Sequence, residues 1–304
     1  MHNEKKFIVS SFYKFVHLRD SRLIKTTLIK KFKNYDIKGT FIIGKEGINS
    51  SFSVRSNQFN KVKSVIRSLI SEEIKFKNQH DNEHSFLRLK IKEKKEIITL
   101  GKQNLNPEKD SAEYINPNLW DEFIVDKDSV VIDTRNIYES EIGTFKNSLK
   151  TETRNFRDFP KWLEKNKNRL KNKKIGMFCT GGIRCEKASN YLIKKGFRNI
   201  FQLEGGIIEY LKTTRNRKKM WIGECFVFDE RTSINDQLEK GSYSQCFACR
   251  SAITQKERKS KFFKFGISCP KCSGKKTNKQ KKRYEERQKQ MLLAKKKGIK
   301  HLGG

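Results

Sequence analysis

A cysteine at the end of an apolar run carries the clearest chemistry in this sequence. Cys179 follows the strand-like segment 175–178. Gly181 and Gly182 come next, before a helix that the apolar spacing predicts over 186–195. A turn between strand and helix directs backbone N–H groups toward one centre, and the helix dipole adds partial positive charge there. We therefore expect Cys179 to be an acidic, nucleophilic thiol that can also carry a persulfide.

The residues around Cys179 leave alternatives open. A buried cysteine at a strand end is often a packing residue, although two adjacent glycines favour a functional loop. Arg184 either complements an anion at the loop or pairs with an acidic side chain. Cys185 either resolves an oxidised Cys179 or packs at the helix start. The candidate active-site loop consists of Thr180, Gly181, Gly182, Ile183 and Arg184.

The spacing within the loop separates two chemistries. Tyrosine-phosphatase loops have five residues between the cysteine and the arginine. Cys179 and Arg184 have four residues between them, and Phe178 precedes the cysteine. The loop is one residue too short to surround a phosphoryl group in that way, so sulfur chemistry fits better than phosphate hydrolysis.

A second group of cysteines has the spacing of metal ligands. Two Cys-x2-Cys pairs are separated by residues 250–268, and four thiolates at this spacing can form a tetrahedron around zinc. Four cysteine ligands leave no position for water, so the predicted site is structural rather than catalytic. The alternative is four unligated thiols. The residues concerned are Cys246, Cys249, Cys269 and Cys272, while Cys225 is interpreted as a packing residue.

Composition limits the class of protein. The chain has 304 residues, with 68 Lys and Arg against 34 Asp and Glu, and a net charge of +34. A charge this large favours polyanions as partners. No segment approaches the roughly 20 apolar residues of a membrane span, and Met1–Lys6 does not begin a secretory signal. We therefore expect a cytoplasmic protein with reduced thiols and no membrane partner.

Basic runs concentrate toward the end of the chain. Residues 215–219, 256–261 and 275–283 are rich in Lys and Arg, and the tail over 273–304 has 12 Lys and Arg against 2 Glu. Phe262, Phe263 and Phe265 lie between the last two runs. Positive charge beside aromatic rings suits RNA, through phosphate neutralisation and base stacking. The alternative is a set of solvated faces, with the tail forming a solvated helix or a disordered arm.

The elements that position these residues fall into two patterns. The order β-α-β-β-α-β over residues 7–91 predicts a ferredoxin-like domain, its last strand over 86–91. Strands over 129–133, 175–178 and 197–203 alternate with helices and predict a parallel α/β sheet. The predicted units are a ferredoxin-like domain over 1–100, a connection over 101–125, a second domain over 126–220, a cysteine-rich segment over 221–272 and a basic tail over 273–304.

Several motifs together resemble a known family. The strand end with Asp133 and Arg135, the run Glu139 to Gly143, the Cys179 loop and 203–207 resemble a rhodanese domain. More narrowly, Cys179-Thr-Gly-Gly-Ile-Arg-Cys-Glu-Lys-Ala188 resembles the signature of the bacterial rhodanese-type tRNA uridine hydroxylases. Three further stretches are similar to that family, and the resemblance covers most of the chain: 39–49, 88–97 and 223–231.

The resemblance implies a fold and an activity. It implies an N-terminal ferredoxin-like domain, a central rhodanese-like parallel α/β domain and a small zinc-ribbon-like C-terminal segment. The implied reaction uses molecular oxygen as co-substrate to hydroxylate carbon 5 of the wobble uridine in the tRNA anticodon stem-loop, with no organic cofactor evident. Cys179 matches the active-site persulfide carrier, and Asp133, Arg135 and Cys185 are secondary candidates. Arg88, Lys90, Asp229 and Arg231 lie in similar stretches, where each is either a functional residue or part of a salt bridge.

Two other functions are compatible with the sequence. The first is a rhodanese sulfurtransferase that carries a persulfide on Cys179. The second is a non-enzymatic RNA-binding module. The N-terminal domain and the total charge favour the tRNA hydroxylase over the sulfurtransferase. An unreactive Cys179 would support the RNA-binding module.

Overall fold

The computed structural model describes residues 6–215 and 217–298. The predictions for Met1–Lys5, for Asn216 within the basic run 215–219 and for the last six residues of the basic tail lie outside the described residues. Within those ranges, no helix combines the length and the apolar character that crossing a bilayer requires.

The first domain is a five-stranded sheet with two helices against one face. The sheet order is β4-β1-β3-β2-β5, antiparallel throughout except where β5 runs parallel to β2. Phe12, Phe41 and Phe52 stack between the sheet and the helices. The elements are β1 (Phe7–Phe15), α1 (Ser21–Phe32), β2 (Ile37–Gly44), β3 (Gly47–Arg55), α2 (Phe59–Leu69), β4 (Lys77–Asp81) and β5 (Leu89–Glu93).

The ferredoxin-like β-α-β-β-α-β order is confirmed, but the prediction of its last strand is wrong. The fourth strand of that order is β4, and the segment predicted over 86–91 forms the additional strand β5. β4 reads Lys-Asn-Gln-His-Asp and has no apolar alternation, because it is an edge strand whose side chains meet other domains. A polar strand of this kind gives no hydrophobic signal in the sequence.

The second domain is a parallel α/β sheet, as predicted. Its order is β6-β11-β10-β7-β9, which places β10 at the centre and Cys179 directly after its carboxyl end. Ligands of open α/β sheets bind at this edge. The elements are β6 (Glu113–Ile115), α3 (Trp120–Val125), β7 (Ser129–Asp133), α4 (Ile137–Ser140), β8 (Gly143–Phe145), β9 (Leu149–Lys150), α5 (Phe159–Leu170), β10 (Lys174–Phe178), α6 (Ile183–Lys194), β11 (Ile200–Leu203) and α7 (Gly206–Thr213).

The second domain takes residues from both of its neighbours along the chain. Residues 101–125, expected to be a connection, supply β6 and α3. Trp221–Gly223, expected in the cysteine-rich segment, pairs with β8 as strand β12. Trp221, Cys225 and Ile234 are buried in the same core as Trp120. Cys225 is therefore a packing residue, as interpreted from the sequence.

The C-terminal segment consists of short elements around the four metal-spaced cysteines. β13 pairs with β14, β15 pairs with β16, and the basic tail forms a helix within the described residues. Arg287 fastens that helix by donating hydrogen bonds to the carbonyl oxygens of Phe247 and Gly266, at 3.1 and 2.6 Å. The elements are β13 (Cys225–Phe226), β14 (Ser233–Ile234), β15 (Ser244–Gln245), β16 (Ala252–Ile253), α8 (Gln255–Arg258) and α9 (Asn278–Lys296).

A buried lysine joins the first and second domains. Lys187 on α6 is 1% exposed, and its Nζ lies 2.8 Å from Glu46 and 2.6 Å from Glu96. It also donates a hydrogen bond to the carbonyl oxygen of Ile98 at 2.9 Å. Both carboxylates come from the N-terminal half of the chain, so one cation of the second domain holds two anions of the first. A buried charge is tolerated only when it is paired and hydrogen-bonded.

The Lys187→Met variant should lose roughly 2–4 kcal/mol of stability, because two largely buried carboxylates would lose their counterion. Denaturant titration of the purified protein measures this change. Lys212→Met is the matched control: Lys212 is exposed, its Nζ lies 3.5 Å from Glu209, and its loss should cost no more than about 0.5 kcal/mol. Equal changes in the two variants would show that Lys187 does not hold the domains together.

Candidate active site

The Cys179 loop joins the carboxyl end of β10 to the N-terminus of α6. The backbone N–H of Gly182 donates a hydrogen bond to the Cys179 sulfur at 3.0 Å. α6 begins at Ile183, three residues earlier than predicted, because Gly182 adopts a left-handed conformation with φ of 100° and turns the chain directly into the helix. The positive end of the α6 dipole therefore lies at the thiol.

A second glycine lets another helix support the loop from behind. Gly206 opens α7 with φ of 70°, and a Cβ atom there would lie 2.6 Å from the carbonyl oxygen of Cys179. The backbone N–H groups of Ile207 and Ile208 donate to the carbonyl oxygens of Cys179 and Thr180, at 3.0 and 3.2 Å. The rhodanese-like motif over 203–207 therefore fixes the backbone of the Cys179 loop.

The two cysteines of the loop have opposite acidities. Burial raises the pKa of Cys179, but hydrogen bonds from the Cys185 thiol and from backbone N–H groups, together with the charge of Arg184, bring that pKa well below its ordinary value. Burial and the neighbouring Cys179 thiolate raise the pKa of Cys185. Cys185 therefore keeps its proton and donates a hydrogen bond to the Cys179 thiolate. The Cys185 sulfur lies 3.7 Å from the Thr134 hydroxyl.

Arg184 pairs with an acidic side chain, which is one of the two roles considered for it from the sequence. Both terminal nitrogens donate to the Glu139 carboxylate at 2.7 Å, and both side chains are buried. The guanidinium still favours the Cys179 thiolate by its charge, while its hydrogen bonds are directed to Glu139. Glu139 is also the N3 residue of the α4 capping box, so its position is fixed.

Asp133 and Arg135 form a buried ion pair beneath the loop. Arg135 donates to Asp133 at 2.6 Å and to the carbonyl oxygen of Gly143 at 2.5 Å, and the exposure of both side chains is 0%. The guanidinium lies over the rings of Phe178 and Trp221. Among the residues that the structure describes, the lining of the cleft that contains Cys179 includes neither Asp133 nor Arg135. The ion pair therefore connects the end of β7 to the start of β8.

Cys179 lines a cleft of about 510 Å³ between the first and second domains. The residue itself is 1% exposed, so a reactant reaches the sulfur only through this cleft. The first domain forms one wall with side chains of β1 to β4, and the Cys179 loop forms part of the other. Polar and aromatic groups of the wall include Tyr13, Asn49, Gln79, Tyr138, Arg157 and Phe228.

Lys77 of β4 contacts the Cys179 loop from the first domain. Its Nζ donates hydrogen bonds to the carbonyl oxygen of Gly181 and, at 2.9 Å, to that of Gly205. It lies 5.4 Å from the centre of the Tyr13 ring. Burial lowers the pKa of Lys77, while the Cys179 thiolate and nearby carboxylates oppose this shift. Sequence reasoning missed Lys77, because a single lysine on a polar strand carries no motif.

Tyr13 adds another contact between the domains at this site. Its hydroxyl donates to Glu186 at 2.9 Å, and the Tyr114 hydroxyl donates to the same carboxylate oxygen at 2.5 Å. Burial first, and then the charge of Glu186, raise the pKa of Tyr13. Tyr13 therefore keeps its proton and remains a hydrogen-bond donor.

The remaining candidates from the family-like stretches divide into two pairs. Arg231 lines the cleft, forms a salt bridge with Asp229 at 2.6 Å and donates a hydrogen bond to Gln79 at 2.6 Å. This hydrogen bond joins the C-terminal segment to the first domain. Arg88 and Lys90 lie beside and within β5 and are not among the described residues that line the cleft.

The four metal-spaced cysteines meet at one point. All four sulfur atoms lie within 4.8 Å of one another. Three separations are 4.0 Å for Cys246–Cys272, 3.7 Å for Cys249–Cys269 and 3.8 Å for Cys269–Cys272. A tetrahedron with Zn–S bonds of about 2.3 Å has sulfur atoms about 3.8 Å apart. The cluster therefore fits zinc in both donor chemistry and geometry.

Each of the two large domains matches the model of a known protein family. The family model of the UPF0176 acylphosphatase-like domain matches residues 7–97, and the model of the rhodanese-like domain matches residues 117–213.

Solved structures show more distant likenesses. A rhodanese-like domain from Anabaena sp. is 13% identical over 36% of this chain and 78% of that chain, with a TM-score of 0.30. A rhodanese-related protein from Thermoplasma volcanium is 23% identical over 35% of this chain and 95% of that chain, with a TM-score of 0.27. An NAD-dependent persulfide reductase from A. fulgidus is 16% identical over 68% of this chain and 34% of that chain, with a TM-score of 0.27. TM-scores this low carry no information about activity.

The Lys77→Met variant should raise the pKa of Cys179, because a cation that favours the thiolate would be removed. The pH dependence of Cys179 alkylation, followed by mass spectrometry of its peptide, should shift to higher pH. Lys77→Arg should keep most of the wild-type profile. Lys75→Met is the control, since Lys75 is highly exposed and 3.7 Å from Glu204. An unchanged profile in Lys77→Met would remove Lys77 from the site.

The protein purified without chelator should contain close to one zinc ion per chain. Metal analysis should show that Cys249→Ser and Cys272→Ser lose this zinc, because each removes one of four thiolate ligands. Cys225→Ala should retain it, since Cys225 lies in the core of the second domain. Metal-free wild-type protein would contradict the zinc assignment.

Proposed function

We propose, from the premise that this chain has the UPF0176-plus-rhodanese architecture of the rhodanese-domain tRNA hydroxylase family, that it is a tRNA-modifying enzyme. In the proposed reaction, molecular oxygen hydroxylates carbon 5 of the wobble uridine, and Cys179 is the catalytic residue. Because the proposed substrate is tRNA, the proposed location is the cytoplasm.

One observation carries the proposal: Cys179, whose pKa is well below its ordinary value because of the surrounding hydrogen bonds and the Arg184 charge, lies on the wall of a cleft that neither large domain forms alone. Sulfur transfer to a small acceptor requires only the rhodanese-like domain and its loop. A second domain that closes over the thiol, and that supplies Lys77 and Tyr13, indicates a larger substrate held between the two.

The cleft suits a single extruded base. Its volume of about 510 Å³ falls within the range of small-ligand sites. The Asn49 amide already donates to the carbonyl oxygen of Ile97 at 3.1 Å, and the Gln79 oxygen accepts from Arg231 at 2.6 Å. The Asn49 oxygen as acceptor and the Gln79 amino group as donor match the donor and acceptor of the uracil imide edge. Phe228 is 58% exposed and provides a face for stacking. Bases of an anticodon loop are unpaired and can enter such a cleft without the melting of a duplex.

Cys179, Cys185 and Arg184 have different roles in the proposed reaction. Cys179 supplies the nucleophile, because a pKa well below its ordinary value favours the thiolate over the thiol. Cys185 holds a proton beside it, and Arg184 stabilises negative charge on the sulfur. Hydroxylation by molecular oxygen leaves the second oxygen atom as water and consumes two electrons, so the enzyme requires an external reductant.

The backbone N–H groups and the Arg184 charge, which lower the pKa of Cys179, would also stabilise a persulfide anion on its sulfur. This supports a sulfurtransferase as the second candidate. In that case the purified protein should form thiocyanate from thiosulfate and cyanide at high turnover, and its deletion should leave tRNA unchanged.

Deletion of this protein should remove 5-hydroxyuridine from bulk tRNA, as measured by mass spectrometry of tRNA nucleosides. Expression of the wild-type chain should restore the nucleoside. Cys179→Ser should not restore it, because a serine hydroxyl stays protonated and is a much weaker nucleophile. Cys225→Ala is the control and should restore it. Full restoration by Cys179→Ser would contradict the proposed catalytic role.

A further inference from the structure

A second cavity, of about 270 Å³, lies next to the catalytic cleft on the side of the cysteine-rich segment. Asp229 lines both cavities, so the two are adjacent. The wall of the second cavity is aromatic and basic, with contributions from Lys240, Tyr243, Phe247, Arg258 and Phe265.

The three phenylalanines between the basic runs have three different environments. Phe263 also lines the second cavity, but it is partly buried and packs against the metal-spaced cysteines. Phe265 is 49% exposed and lines the second cavity, with its ring 5.6 Å from that of Phe247 in an edge-to-face arrangement. Phe262 is equally exposed, at 50%, but lies under Lys261 and outside the cavity lining. Only Phe265 combines an exposed ring with a concave wall.

The charges around this wall favour an anion. Lys240 and Arg258 line the cavity. Of the two acidic residues in the lining, Asp229 is held in its salt bridge with Arg231. Burial, and then the charge of Asp229, raise the pKa of the other, Glu230, while the neighbouring cations Arg250, Lys240 and Lys90 lower it and balance its negative charge. Phosphate groups at the cavity mouth would therefore meet net positive charge.

We propose that the second cavity binds an unpaired nucleotide adjacent to the uridine in the catalytic cleft, with its base stacked on Phe265. This inference rests on the proposed function. Lys240 and Arg258 lie where they can neutralise the phosphates of that nucleotide. Stacking on an aromatic side chain tolerates any base, and each stacked base contributes substantially to the affinity for single-stranded RNA. Asp229 lines both cavities, so the two are close enough for neighbouring nucleotides of one RNA strand to enter them.

The test measures binding of an anticodon stem-loop RNA to the full-length Cys179→Ser protein by fluorescence anisotropy. Phe265→Ala, added to that protein, should weaken binding by roughly 5-fold or more, because one stacking contact is lost. Phe265→Tyr should retain the affinity. Phe262→Ala is the matched control, with the same residue type and exposure outside the cavity, and should change the affinity by less than about 2-fold.

Abasic RNAs make the test specific for a neighbouring nucleotide. The effect of Phe265→Ala should disappear when the base on one side of the target uridine is removed, because no ring is then left to stack. Equal effects of Phe265→Ala and Phe262→Ala, or a Phe265→Ala effect that survives removal of either flanking base, would overturn the subsite while leaving the proposed function intact. Failure of the parent protein to bind the stem-loop would overturn both.

Discussion

A buried thiolate needs compensation for the loss of water, and this requirement shapes the site around Cys179. Burial alone would keep the sulfur protonated. The backbone N–H groups of the loop, the dipole of α6, the Cys185 thiol and the Arg184 charge together reverse that preference. Two of these groups are themselves held in position. Glu139 holds Arg184, and the first residues of α7 hold the loop backbone.

The same loop also joins the domains, because the residues that follow Cys185 turn toward the first domain. Glu186 accepts hydrogen bonds from Tyr13 and Tyr114, and Lys187 pairs with Glu46 and Glu96. In the other direction, Lys77 of the first domain binds the carbonyl oxygens of the loop. The three family-like stretches outside the loop thus meet it at a common junction, which explains why two separate domains share one cleft.

The sequence predicted the parts of this arrangement that have local signals. Apolar periodicity located most strands and helices of both domains, and spacing alone grouped the four cysteines that the structure brings together. The polar strand β4 was missed because it has no apolar alternation, and Lys77 was missed with it. The partner of Arg184 stayed open because Glu139 lies 45 residues away along the chain, and only the fold brings the two together. The cleft itself has no local signal, since it exists only where the domains dock.

The most direct test of this account is a titration of the Cys179 thiol in the intact wild-type protein. Because the pKa of Cys185 also depends on Cys179, the titration follows the rate of alkylation of the Cys179 peptide as a function of pH by mass spectrometry, which reports that one group. The account predicts a pKa clearly below the value of about 8.5 for free cysteine. A pKa at or above that value would show that burial outweighs the compensating groups, and would contradict the account of Cys179 as an ionised catalytic residue.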